Sequence, residues 1–107
     1  MVYLGMTDKA KPHHDLEAIK SAFSAGKGRF TATAIRDAAS LGLGSDDISA
    51  AIQTVEKRHF YKSMTSNYDA RIWQDVYHVP HAVGTLYVKF TDNGLITEFT
   101  LLSFKEK

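Results

Sequence analysis

At 107 residues, with 44% hydrophobic and 23% charged residues, the chain has the size and composition of one soluble globular domain with a modest core. It has no cysteine, which excludes disulfides and thiolate metal sites, and no run near the roughly 20 apolar residues of a membrane-spanning helix. A net charge of +1 excludes a strongly basic binder. The balance is nevertheless uneven. Residues 1–56 carry six Lys/Arg against seven Asp/Glu, residues 57–107 carry seven against five, and nine of the twelve aromatics lie from Phe60 onward. A weakly basic, aromatic-rich half suits single-stranded nucleic acid, although aromatics also simply favour strands. The leading MVYLGMTDK is too short and polar for a signal peptide, so cytoplasmic residence is expected.

Along the chain, a polar tail ends at Pro12. Asp15 is placed to cap a helix with Leu16, Ile19 and Phe23 at helical spacing, closing at Gly26. Lys27 to Thr31 reads as a turn or a short edge strand. Thr31 or Thr33 caps a second helix through Ala34, Ile35, Ala38, Ala39 and Leu41, stopped by Gly42. Ser45 precedes Asp46 and Asp47, whose charge suits the first turn of a third helix. Its inner stripe is Ile48, Ile52 and Val55, with Lys57 and Arg58 at its C-terminal end. Beyond it the period becomes alternating: Arg71–Tyr77, Gly84–Phe90 and Leu95–Phe104 read as strands. Asp92-Asn93-Gly94 is a hairpin signal. A two-residue Asn93-Gly94 loop pairs Lys89 with Glu98 and sets Leu86, Val88 and Phe90 beside Leu101, Phe99 and Leu95. Helices first and antiparallel strands after imply an α+β domain spanning 1–107.

Few residues invite chemistry. His13 and His14 fall in the tail, His59 ends a helix, and His78 and His81 flank Pro80 in an expected loop. His78 and His81 could act as acid and base in a ribonuclease, but exposed or helix-end positions are the favoured explanation of all five. No HxxxH or neighbouring carboxylate spacing makes a metal site, so none is expected. There is no G-x-S-x-G around Ser63, and Gly26-Lys27-Gly28 is a helix stop rather than a P-loop. Lys62, Gln74, Tyr87 and Lys105 remain, since no local rule demands them. Together they suit phosphodiester chemistry, with amines for phosphoryl charge and a phenol for proton movement. They fit a solvated sheet edge as well.

The strings FYKSMTSNYDARIWQDVY and LLSFKEK, with a GxxYxK strand between them, resemble the MqsR family of bacterial mRNA interferase toxins in order and spacing. HDLEAIKSAF and TATAIRDAASLGL resemble its helical half more loosely. The likeness covers roughly residues 13–107 and leaves 1–12 as a variable extension. It implies a RelE-like fold, a curved antiparallel sheet backed by helices. It also implies a toxin that cuts mRNA at GC-containing sites without metal or cofactor. Neutralisation by an MqsA-type antitoxin is implied too; that partner binds zinc and DNA, so any DNA contact is indirect. No membrane contact is implied. The family's active-site positions fall on Lys62, Gln74, Tyr87 and Lys105.

The expected mechanism is attack of the substrate's own 2′-hydroxyl on phosphorus. Tyr61, Met64, Trp73, Tyr77, His78 and His81 are then candidate RNA contacts, with a core position for Trp73 as the rival reading. A noncatalytic RNA- or antitoxin-binding module of the same fold is the alternative. Two departures stand out: His78 replaces an arginine that often follows the family's WQDVY, and His81 replaces the next basic position. The two-residue turn also puts Tyr87 and Lys105 on opposite faces of the sheet. Bringing them together requires a bulge or irregular turn, expected between Asp92 and Thr100.

Overall fold

The computed structural model describes residues 8–66, 69, 71–92 and 99–107, of which 99–106 are described by backbone alone. Among these, the chain runs β1 (Asp8–Lys9), α1 (Leu16–Ser24), β2 (Arg29–Phe30), α2 (Ala32–Ser40) and α3 (Ser45–Gln53). A 3-10 turn (Lys57–His59) then leads to β3 (Phe60–Thr65), β4 (Trp73–His81), β5 (Gly84–Asp92) and β6 (Phe99–Glu106).

Capping chemistry sets the helix starts. Asp15 Oδ1 accepts the Glu17 N–H at 3.1 Å, and Thr31 Oγ1 accepts the Ala34 N–H at 3.1 Å, so Thr31 rather than Thr33 caps α2. The third helix begins differently from expectation. Gly44 is its N-cap, with its N–H donated back to Asp47 Oδ2 at 2.8 Å, and Ser45 is already helical. Gly26 and Gly42 close α1 and α2 at φ +78° and +80°, left-handed values at which a side chain would be strained. Lys57 and Arg58 do not end α3. The helix stops at Gln53, the Thr54 hydroxyl donates to the Ala51 carbonyl at 2.7 Å, and the two basic residues form the separate 3-10 turn.

The sheet order is β1-β3-β4-β5-β6-β2. Every neighbouring pair is antiparallel except β2 with β6, a two-residue parallel edge. This is an α+β arrangement. Leu16, Ile19 and Phe23 of α1, Ala34 and Ala38 of α2, and Ile48 and Ile52 of α3 form the core with Tyr77, Val79, Leu86, Val88 and Phe90. Ile35, expected inward, is 43% exposed, so alanines alone carry the close approach of α2. Lys20 Nζ donates to the Val55 carbonyl at 3.0 Å and Gln53 Nε2 to the Lys20 carbonyl at 2.9 Å, tying α1 to the end of α3.

Three sequence expectations about the sheet are corrected. Residues 8–12 are not all tail: β1 pairs with β3, Asp8 opposite Met64 and Lys9 opposite Ser63. Pro80 does not break the chain into a loop, because β4 runs on to His81. Pro80 lies past Tyr77, the last β4 residue paired with β3, so its missing N–H costs no ladder bond there.

The β5–β6 register also differs. Lys89 sits opposite Ser103 instead of Glu98, Val88 opposite Phe104, and Tyr87 opposite Lys105. The bulge falls where Lys89↔Ser103 gives way to Phe90↔Leu101, not between Asp92 and Thr100. The Asn93-Gly94 turn itself lies outside the described residues.

Candidate active site

Alternation divides each strand between two faces. On β4 and β5 the helix-covered face holds Asp75, Tyr77 and Val79 opposite Phe90, Val88 and Leu86. The other face carries Gln74, Val76 and His78, and on β5 Tyr87, Lys89 and Thr91. From β3 it receives Lys62 opposite Val76 and Met64 opposite Gln74. A register irregularity between Phe60 and Lys62 adds Tyr61, whose ring stacks on His78 at 4.2 Å between centroids, 21° from parallel. A bulge beside a site commonly redirects one side chain in this way. Backbone register gives Lys105 the position opposite Tyr87. The four residues without a local explanation, Lys62, Gln74, Tyr87 and Lys105, therefore map to one face of the sheet. Strand spacing puts β3 and β6 about 14 Å apart, so the two lysine positions flank Tyr87.

Electrostatics differentiates these groups. Tyr87 is half-buried; burial pushes its phenol up from the ordinary value, and the Lys62 ammonium partly opposes that. At neutral pH the phenol keeps its proton and is a donor. His78 is held below the usual imidazole range, by burial first and then by Lys107, so it is mainly neutral at pH 7. Lys62 Nζ lies 3.6 Å from Asp8 Oδ2 and 5.5 Å from the Tyr61 ring centroid. Beneath them Val76 is fully buried and Met64 nearly so, which gives the face a dry floor.

Lys89 was not singled out from sequence, yet it shares this face, in one cross-strand row with Val76 and Lys62. Its position two residues after Tyr87 in an alternating strand is the signal that finds it.

Three expected RNA contacts point elsewhere. Tyr77 is 0% exposed, inside the core, and cannot stack on a base. Trp73 takes the register of the helix-side face, opposite Thr65, but is only partly buried and lies outside the core cluster. His13 stacks on its ring at 5.2 Å, and the Lys9 ammonium lies 4.2 Å from the ring centroid. His81 ends β4 on the same side, its Nδ1 accepting the Val83 N–H at 3.2 Å.

The aspartate of the IWQDVY string is a structural anchor. Asp75 is fully buried; it accepts the Ser63 hydroxyl at 2.6 Å, the His14 N–H at 2.8 Å, and the His13 N–H at 3.1 Å to each oxygen. His14 is not a tail histidine. It is buried, its Nε2–H donates to the Trp73 carbonyl at 3.0 Å, and its Nδ1 lies 3.5 Å from Asp92. Asp75 thus fixes the chain entering α1 against β3 and β4. Among the described residues no three His, Asp or Glu side chains converge in a metal-binding group, and no helix is long and apolar enough to cross a membrane.

The fold and this face define an α+β domain whose open sheet surface gathers amines, a phenol and an amide over an apolar floor. The family described as "Motility quorum-sensing regulator, toxin of MqsA" matches residues 11–106. The mRNA interferase toxin MqsR of Escherichia coli (strain K12) is 39% identical over 100 residues, covering 94% of this chain and 99% of that protein. The chain belongs to the MqsR toxin family.

Proposed function

We propose that this chain is a toxin acting as an mRNA interferase, a metal-independent endoribonuclease whose active site is the open sheet face. The observation that carries the reading is the register pairing Tyr87 with Lys105 on the face that also holds Lys62 and Gln74. The similarity to a named mRNA interferase supports the reaction class.

RNA brings its own nucleophile. The 2′-hydroxyl attacks the adjacent phosphorus, giving up its proton to a general base as the P–O5′ bond breaks. The products are a 2′,3′-cyclic phosphate and a free 5′-hydroxyl. Tyr87, whose phenol keeps its proton at neutral pH, supplies a proton to the departing 5′ oxygen. Lys62 and Lys105 stabilise charge on the phosphoryl oxygens. Gln74 orients ribose or base through its amide. Tyr61, 53% exposed and stacked on His78, offers a platform for an unstacked base, and Met64 lies beside Gln74.

The finer reading extends to GC-containing cleavage sites, a RelE-like fold within a single domain, and cytoplasmic action. It includes neutralisation by an MqsA-type antitoxin that binds zinc and DNA. Incubation of the protein with a GC-containing single-stranded RNA in EDTA tests the core of it. Cleavage leaving a cyclic phosphate is expected. Cleavage only with added divalent metal overturns the mechanism, and binding without cleavage under either condition makes the chain a noncatalytic module.

A further inference from the structure

We propose that Asp8 guards Lys62: in the free protein its carboxylate holds the ammonium group that the RNA phosphate must take, and substrate displaces it. This deepens the reading of Lys62 as a phosphate ligand and rests on it. The motivating contact is the 3.6 Å approach of Asp8 Oδ2 to Lys62 Nζ. The fold builds this contact in at several points. Asp8 and Lys9 are held in register against Met64 and Ser63, which puts Asp8 beside Met64 on the open face. A few residues on, the same segment is clamped by the His13 and His14 N–H groups on Asp75. Between these anchors Lys9 donates to His13 Nδ1 at 2.9 Å while its ammonium sits over the Trp73 ring that His13 stacks on. The segment is thus a strap along the edge of β3, fixed at both ends, that delivers one carboxylate to one amine.

The pair is also built to open. The side chains of Lys62 and Asp8 are 32% and 55% exposed, so water and salt screen their attraction and a phosphate can compete for the ammonium. Binding then breaks the ion pair and brings a phosphate close to a freed carboxylate. Both effects weaken RNA binding, and both vanish when residue 8 is neutral. A distinct signature appears in the salt dependence. In wild type the freed Asp8 carboxylate beside the bound phosphate retains a cation there, so RNA binding releases about one fewer cation than when residue 8 is neutral. The slope of log K against log salt is about 0.7 per phosphate neutralised on single strands.

The test uses the full chain, a 2′-O-methylated single-stranded RNA that cannot be cleaved, and its ribose counterpart for kinetics. Asp8→Asn is expected to tighten binding about three- to tenfold at low salt. It lowers KM with kcat little changed, and steepens the salt slope by up to about 0.7. Asp8→Glu retains most wild-type behaviour. In a Lys62→Ala background the Asp8→Asn gain disappears, because the partner is gone. Equal affinity and slope for wild type and Asp8→Asn, with normal cleavage by wild type, overturn the guard alone. An equal Asp8→Asn gain with Lys62 removed overturns it too, as a general charge effect. A gain that depends on Lys62 while neither protein cleaves RNA supports the guard and overturns the nuclease reading; no RNA binding by wild type overturns both.

Discussion

Replacing Asp75 by Asn separates two roles that sequence alone confuses, because a carboxylate inside a catalytic-looking string invites a chemical role. In the structure the Asp75 carboxylate is fully buried and accepts from three donors: Ser63 Oγ, the His14 N–H, and the His13 N–H shared between both oxygens. Hydrogen bonds to a charged acceptor contribute about 1.5–3 kcal/mol each. Asn keeps one acceptor oxygen and turns an NH₂ toward the remaining donors, so about two bonds are lost, a cost of about 3–6 kcal/mol. For a domain of this size each kcal/mol moves the thermal midpoint about 4–8 °C, so a fall of roughly 12 °C or more is expected. Urea and thermal unfolding measure the loss, and RNA cleavage is assayed well below the new midpoint and normalised to folded protein. The expected variant is unstable yet retains most of its kcat. Near wild-type stability with abolished cleavage would refute the anchoring role and move Asp75 into the chemistry.

Face assignment leads to a second contrast. Tyr61→Ala is expected to weaken RNA binding by about 1–3 kcal/mol, the value of a stacked base, with little loss of stability, whereas Trp73→Ala should lower stability through lost packing with His13 and Lys9 and leave per-molecule RNA affinity nearly intact. Anisotropy with an RNA ligand, paired with urea unfolding, distinguishes these outcomes; the reverse pattern would return Trp73 to the cleft. The histidines give a pH signature. His13 is lowered by burial, then by Lys9 and His14, and His78 by burial, then by Lys107. An imidazole kept neutral by the fold is protonated more readily in the unfolded chain, so the unfolded state binds more protons at mildly acid pH and stability rises with pH there. Thermal midpoints should therefore hold above about pH 6.5 and fall as pH drops below it, an effect smaller in His78→Gln. A midpoint that rises on acidification through this range would contradict the lowering of these imidazoles in the fold.

Much of the helical half was legible because caps and stops are local: Asp15, Thr31, Gly26 and Gly42 act within a turn of themselves. The α3 start escapes a local reading because Asp47 reaches back to the Gly44 N–H and makes Gly44 the cap, although Ser45 is the better cap by type. The sheet failed at long range. Asn93-Gly94 suggested a two-residue turn, and that inverted the relation of Tyr87 to Lys105, which in the structure are direct cross-strand partners. A one-residue change of register flips a whole strand, so this error falls squarely on the site. Pro80 and the polar N-terminal segment escape the sequence for the same kind of reason, since only tertiary pairing shows that the β3 pairing ends before Pro80 and that Asp8 and Lys9 lie along β3. The face of Trp73 and Tyr77, by contrast, was available from alternation: residues odd in number along β4 oppose Gln74, so a strand carrying Gln74 in a cleft turns both aromatics away.

A double-mutant cycle on Tyr87 and Lys105, read as the single-turnover rate of RNA cleavage in EDTA, bears most directly on the claim that one sheet face assembles one active site. Tyr87→Phe and Lys105→Ala are each expected to slow cleavage about 10²–10³-fold, with the double variant far less impaired than the product of the two, because both act on the same phosphodiester. Independent effects that multiply fully, or single variants that cut RNA at the wild-type rate, would contradict it.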